Sequence, residues 1–187
     1  MASANELSGL RIAALLDNYF EQAELTGPKT AFENAGARVD IISRIPQPQG
    51  VNHHERGDTF HAAVALADAR PENYDALLLP GGVVNGDSLR IVPEAQRLAK
   101  AMVGQGKPVA VICHGGWLLI SCNLVRGRTL TSWPTLQDDY RNAGANWVDK
   151  EVVVDGNWIS SRKPADIPAF NRAAIEVFAR SRGEKAA

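Results

Sequence analysis

One cysteine stands where a chain can make it reactive. The run Lys107-Pro108-Val109-Ala110-Val111-Ile112 is apolar and partly β-branched, and it leads into Cys113, His114, Gly115 and Gly116 before an apolar stretch from Trp117. A strand that turns sharply into a helix in this manner is a nucleophile elbow, which pushes one side chain into a cleft. The N–H groups that open such a helix favour negative charge, so the pattern predicts a thiol pKa below its ordinary value. Gly115 allows the tight turn, and the free amides beside it predict an oxyanion-binding position. The competing reading of this segment alone is a buried, inert cysteine at a strand end.

Other groups gather around the same chemistry. Glu21 and Glu24 follow the first apolar run, and a carboxyl beside a thiolate tends to keep its proton because like charges oppose each other in a dry site. Such a carboxyl holds the sulfur by a hydrogen bond or shuttles a proton; alternatively, both acids only decorate a helix N-terminus. Gly81 and Gly82 close another strand, where their amides complete an anion pocket or simply make a turn. His114 adjoins the cysteine, and because neighbouring side chains point apart it serves as a base only on an unusually bent elbow. It also needs an acid to orient it. Asp87 is a candidate for that acid, against the plainer reading of a helix-cap or turn aspartate.

The elements that must position these groups alternate along the chain. Leu10 to Leu16, Arg38 to Ser43, Tyr74 to Pro80 and Pro108 to Ile112 read as buried strands. Glu24 to Ala35, Pro93 to Gly104, Thr135 to Ala143 and Asp166 to Arg180 read as helices. Residues 45 to 61 are polar and rich in Pro, Gly and His, which predicts a long loop or small hairpin. Asp155-Gly156 is a hairpin signal near the end. Strands alternating with helices predict an α/β domain, a mostly parallel sheet covered on both faces with a late antiparallel addition. Ligands of such sheets collect beyond the carboxyl ends of the strands, where the first loop, Gly81-Gly82 and Cys113-His114 all arrive. The whole chain, 1 to 187, reads as one domain with an ordered core over about 10 to 180.

Composition narrows the possibilities. With 45% hydrophobic and 22% charged residues and a net charge of -1, the chain has no electrostatic footprint for nucleic acid. No apolar run is long enough to span a bilayer, and the start lacks signal-peptide character. Cys113 and Cys122 are the only cysteines and lie on the elbow and its helix, so no structural disulfide is expected, and a cytoplasmic location follows. Cys122 falls in an apolar helix and reads as buried and inert. The spacing of His53, His54 and His61 matches no compact metal-ligand set. There is no dinucleotide fingerprint and no P-loop, so no cofactor is expected. No histidine follows His114, which rules out the amidotransferase arrangement of an elbow cysteine served by a downstream His-Glu pair.

The chain closely resembles the PfpI family, in the superfamily that includes the Parkinson's-linked deglycase. The resemblance runs from about Arg11 to Phe178 and rests on Phe20-Glu21-Gln22-Ala23-Glu24-Leu25, Leu79-Pro80-Gly81-Gly82, Asp87-Ser88-Leu89-Arg90, Ala110-Val111-Ile112-Cys113-His114-Gly115, Gly127 to Pro134, Asn142 to Val148 and Ser160 to Pro164. It implies a flavodoxin-like three-layer sandwich with Cys113 as nucleophile and Glu21 hydrogen-bonded to its sulfur. It implies His114 as the partner histidine, oriented by an acid from a neighbouring subunit, with Asp87 the best match. The amides of Gly82 and His114 would form the oxyanion hole, and the chain would be a homodimer or hexamer with the site near the interface. The family commonly carries Pro after the elbow glycine; Gly116 stands there instead and predicts a looser turn.

The expected activity is cofactor-independent, cysteine-dependent chemistry on reactive carbonyls or their early adducts, of the glyoxalase or deglycase kind, in a stress-response setting. Intracellular peptide hydrolysis through an acyl-enzyme is the alternative within enzymes. A redox-sensing or holdase protein, with Cys113 oxidised to a sulfinic acid beside Glu21, is the alternative of another class.

Overall fold

The computed structural model describes residues 5 to 185. Its centre is a seven-stranded sheet. In spatial order the strands are β11 (Val152–Asp155), β12 (Trp158–Ser161), β8 (Val109–Ile112), β7 (Ala76–Leu79), β1 (Arg11–Leu15), β3 (Arg38–Ser43) and β6 (Val64–Ala65). All neighbours pair in parallel except β11 with β12, the hairpin that turns at Asp155-Gly156 and forms an antiparallel edge.

Both faces of the sheet are buried, and the period-two alternation of the strands divides the interior into two cores. Ala13, Leu15, Leu77, Leu79, Val109 and Val111 face one core, where α3 (Pro93–Gly104), α4 (Trp117–Ser121) and α5 (Gln137–Asn142) contribute Leu98, Leu118, Leu119 and Tyr140. Ile12, Ala14, Leu78, Ala110 and Ile112 face the other, covered by α1 (Gln22–Asn34) and α6 (Ile167–Lys185) through Leu25, Phe32, Phe170 and Phe178. This is the mostly parallel, doubly covered sheet that the alternating elements predict and the flavodoxin-like sandwich that the resemblance implies. The polar segment at 45 to 61 folds as a hairpin of β4 (Gln49–Asn52) and β5 (Glu55–Thr59), which forms a small sheet with β2 (Phe20–Glu21). β9 (Thr129–Leu130) and β10 (Asn146–Trp147) make a second small sheet. The elements not expected include β2, β6 and α2 (Val83–Leu89), which holds Asp87 inside a helix rather than at a cap or turn. Among the described residues no helix is long and apolar enough to cross a membrane.

The loops at the carboxyl ends of β1 and β7 are joined by one buried side chain. Asn85 accepts from the Asp17 N–H at 2.6 Å and donates to the carbonyls of Pro80 and Gly81, both at 3.0 Å. Asp17 in turn accepts from Arg44 Nε at 2.6 Å. Asn85→Ala would strand two buried backbone groups, the Asp17 N–H and the Pro80 carbonyl, each costing about 1–2 kcal/mol when unpaired, while the Gly81 carbonyl keeps the Glu21 N–H at 3.1 Å. The expected loss is about 2–4 kcal/mol in urea denaturation, far beyond that of an ordinary surface substitution.

Candidate functional site

Cys113 sits at the end of β8 with φ of +61°, a conformation that costs a non-glycine residue energy and persists only where its surroundings enforce it. The enforcement is visible on both sides. The Cys113 N–H donates to the Ser161 carbonyl at 3.1 Å, and the Cys113 carbonyl accepts from the Trp133 N–H at 3.3 Å. Gly115 N–H closes the turn onto the Ile112 carbonyl at 3.0 Å, and a Cβ at Gly115 would lie 2.5 Å from the Leu79 carbonyl oxygen. The elbow is thus built by close backbone approach, and only glycine allows it at 115.

The sharp bend also settles the position of His114. Its Nδ1 lies 3.1 Å from the Cys113 sulfur, although the two residues are adjacent in sequence. The imidazole is stacked on Trp133 at 6.0 Å between centroids and meets Trp117 edge-on at 5.1 Å. Burial lowers the His114 pKa to about 4, so the ring is neutral at neutral pH. The backbone N–H groups of Gly82 and His114 both reach the Cys113 sulfur. These are the two amides expected to form an anion-binding position. Gly82 adopts φ of +94°, and a Cβ there would lie 2.7 Å from both the Glu21 nitrogen and the Tyr19 carbonyl oxygen.

The carboxyl beside the thiol is Glu24, and the expectation that Glu21 bonds the sulfur is corrected. Glu21 is the residue before α1, and its backbone pairs with β4. That pairing sends its carboxylate to the β4–β5 turn, where it accepts from the His53 N–H at 3.1 Å. Glu24 lies in the first helical turn on the stripe shared with Leu25, Pro28 and Phe32, and so points into the interior. Its Oε2 accepts from the Gly81 N–H at 2.8 Å, while the buried Oε1 has no partner among the described residues. A Cβ at Gly81 would lie 2.5 Å from Glu24 Oε2 and 2.6 Å from Cys113 Cβ, which places the carboxyl and the thiol side by side over that glycine.

Burial dominates the electrostatics here. It raises the Glu24 pKa to about 8, with a smaller upward push from Glu21, so Glu24 holds a proton at neutral pH. Burial also pushes the Cys113 thiol up, and a charged Glu24 would push it further; the two amides pull it down. The expectation of a depressed thiol pKa is therefore reversed, because loss of solvent outweighs the amides. While Glu24 stays protonated its charge no longer opposes a thiolate, and the amides remain to receive one.

Asp87 is exposed on α2 and makes no hydrogen bond to His114 within the chain. The expected looseness at Gly116 is also corrected: a Cβ at that position would collide with the hydroxyl of Tyr140, which fills the space. Cys122 is buried and both cysteines are free thiols. His53, His54 and His61 are exposed, and among the described residues no cluster of His, Cys, Asp or Glu is placed to hold a metal ion.

A parallel α/β sandwich carrying a strained cysteine on an elbow, with a buried carboxyl over it, defines a class of cysteine-elbow proteins. The chain belongs to the DJ-1/PfpI family, whose model matches residues 10–177. It is 41% identical over 169 residues to a deglycase of Pyrococcus abyssi, covering 90% of this chain and 99% of that protein. It is 39% identical over 169 residues to deglycase PfpI of Pyrococcus furiosus, with the same coverage. Among solved structures, Drosophila melanogaster DJ-1beta superposes with a TM-score of 0.82 at 23% identity, covering 91% of this chain and 90% of the other.

The raised Glu24 pKa has a measurable consequence. An acid with a pKa of about 8 folded and 4.5 unfolded binds more protons in the folded state between those values, so its contribution to stability falls as pH rises. His114, lowered from 6.5 to about 4, acts in the opposite sense below pH 6.5. Between pH 6.5 and 8 only the Glu24 effect remains of the two. Urea denaturation should show the native protein losing about 2 kcal/mol across that interval relative to Glu24→Gln. Glu21→Gln, which removes only the smaller upward push on Glu24, should move the fall slightly to lower pH without abolishing it.

Proposed function

We propose that this protein is a cofactor-independent deglycase that acts on reactive carbonyls and their early adducts through Cys113. The observation that carries the reading is the buried Glu24 carboxyl, protonated at neutral pH beside the thiol. Isomerising an α-oxoaldehyde to a hydroxy acid requires a group that takes a proton from one carbon and returns it to the next. A carboxyl titrating near pH 8 in a dry pocket is suited to both transfers. The deglycase names of two relatives near 40% identity over 90% of the chain support the same class.

In the proposed sequence the Cys113 sulfur adds to the aldehyde carbon of methylglyoxal, or displaces the amine from its carbinol adduct, to give a hemithioacetal. The amides of Gly82 and His114 hold the substrate oxygen as charge develops on it. Glu24 gives its proton to the ketone oxygen as it takes the proton on the former aldehyde carbon, forming an enediol. It then protonates the adjacent carbon and takes the proton of the other enediol hydroxyl, leaving a thioester and a protonated Glu24. Water hydrolyses that thioester and releases lactate and the free thiol. Methylglyoxal plus water becomes lactate plus a proton, so no redox partner is needed.

Peptide hydrolysis is the second reading, and the 3.1 Å approach of His114 Nδ1 to the sulfur favours it. There His114 would take the thiol proton and later give it to the leaving amine. That route calls for an acid to orient the imidazole, and we infer that Asp87 of a second copy supplies it. The exposed apolar side chains Val83, Val84 and Ile91, which flank Asp87, support a homodimer through this face.

Lactate released from methylglyoxal-modified N-acetyl-lysine, measured alongside hydrolysis of a peptide-coumarin substrate, tests the assignment. Native protein should release lactate, Cys113→Ala should release none, and Glu24→Gln should lose about 100-fold or more, the scale of a general acid–base contribution. Glu21→Gln should stay within about threefold of native. Coumarin release without lactate would instead favour the peptidase. If neither product forms, and mass spectrometry finds Cys113 as a sulfinic acid, the redox reading gains.

A further inference from the structure

The phenol of Tyr140 is at odds with its surroundings. It rises from α5 into the interior, is wholly buried, and its hydroxyl has no hydrogen-bond partner among the described residues. Phenylalanine would fill the same volume without burying an unpaired polar group, so packing alone does not account for a tyrosine here. The hydroxyl abuts the elbow. It occupies the space that a Cβ at Gly116 would take, so the missing side chain at 116 is what admits it.

The turn from His114 to Gly116 is thereby gripped from two sides. Gly115 is pressed against the Leu79 and Pro80 carbonyls at the end of β7, and Gly116 against the tip of Tyr140. α5 is itself tied to the elbow helix, since Trp117 Nε1 donates to Asp139 at 2.8 Å, one residue before Tyr140. The gripped turn carries both the His114 amide that reaches the sulfur and the imidazole 3.1 Å from it. Burial, and next the charge of Cys113, push the Tyr140 pKa up, so the phenol keeps its proton and remains a donor dipole. The other groups that act on the thiol are Glu24 from α1, the Gly82 amide after β7 and His114 beside it.

We propose that Tyr140 is a positioning residue of the thiol site: its hydroxyl, admitted by Gly116, holds the His114–Gly116 turn against β7 and turns its dipole toward the charge that develops on Cys113. This rests on Cys113 being the reactive group of the proposed function, but on no particular substrate. An unpaired hydroxyl kept in a core at a cost in stability, beside a strained nucleophile, is the trade expected of a functional group.

The test is iodoacetamide alkylation of the intact protein across pH, with Cys113 and Cys122 resolved by peptide mass spectrometry. Tyr140→Phe should fold and melt at an equal or higher temperature, because an unpaired polar group has gone. Its Cys113 should nonetheless alkylate several-fold more slowly at pH 7, with the midpoint of the pH profile displaced upward. Gly116→Ala, which drives a methyl into the hydroxyl, should slow alkylation more in the native background than in Tyr140→Phe, as expected for residues in contact. An unchanged rate and midpoint in Tyr140→Phe would overturn the proposal, as would strictly additive effects of the two substitutions. Alkylation needs no carbonyl substrate, so failure of the deglycase assignment would leave this result independent.

Discussion

Everything at the site depends on how closely the chain approaches itself at Gly81. The Glu24 carboxyl and the Cys113 side chain converge on a position where any Cβ would strike both. The glycine amide holds one carboxyl oxygen, and the next amide along, that of Gly82, reaches the sulfur. Three segments far apart in sequence, at 24, 81 and 113, are thus locked into one constellation by backbone proximity. The parallel sheet makes this possible, because β1, β7 and β8 are neighbours that end at the same edge.

Burial is the second governing condition. Excluding water from this edge raises the Glu24 pKa to about 8 and neutralises His114, and it pushes the thiol up as well. A resting site with these properties stores protons and carries little charge. Its reactivity then comes from groups arranged to receive charge as it forms: two amides aimed at the sulfur and a protonated carboxyl that need not oppose a thiolate. A histidine in direct contact with the thiol would suggest an ion pair, but a pKa of about 4 argues that the imidazole works as a neutral partner.

The same edge shows where the fold accepts instability. Cys113 is held at positive φ, Glu24 Oε1 and the Tyr140 hydroxyl are buried without partners, and all three lie at or against the elbow. Elsewhere the buried polar groups of the strands, such as Asp40, Ser160 and Ser161, have partners, and the apolar residues divide between two cores. Thr131 Oγ1 and Asn171 Oδ1 are also buried without partners among the described residues, but at the elbow unpaired groups meet a strained cysteine, the conjunction expected of a site.

Much of this could be read from the residues alone. Apolar runs, glycine stops and the Asp155-Gly156 turn determine the strands and most helices, because local periodicity and turn chemistry act over a few residues. The elbow was equally legible, since its requirements for a buried strand, a small turn and an apolar helix are local. What the sequence could not decide is which acid meets the thiol. Glu21 and Glu24 are three residues apart, and the choice depends on β2 pairing with β4, a contact between distant segments that turns Glu21 toward His53 and leaves Glu24 on the buried stripe with Leu25, Pro28 and Phe32. That stripe was itself a signal, because a carboxylate in register with three apolar residues belongs to the interior. The sign of the thiol shift, the role of Asn85 and the meeting of Tyr140 with Gly116 had no such local trace. Each is set by solvent exclusion or by contact across elements, and those arise only when the chain has packed.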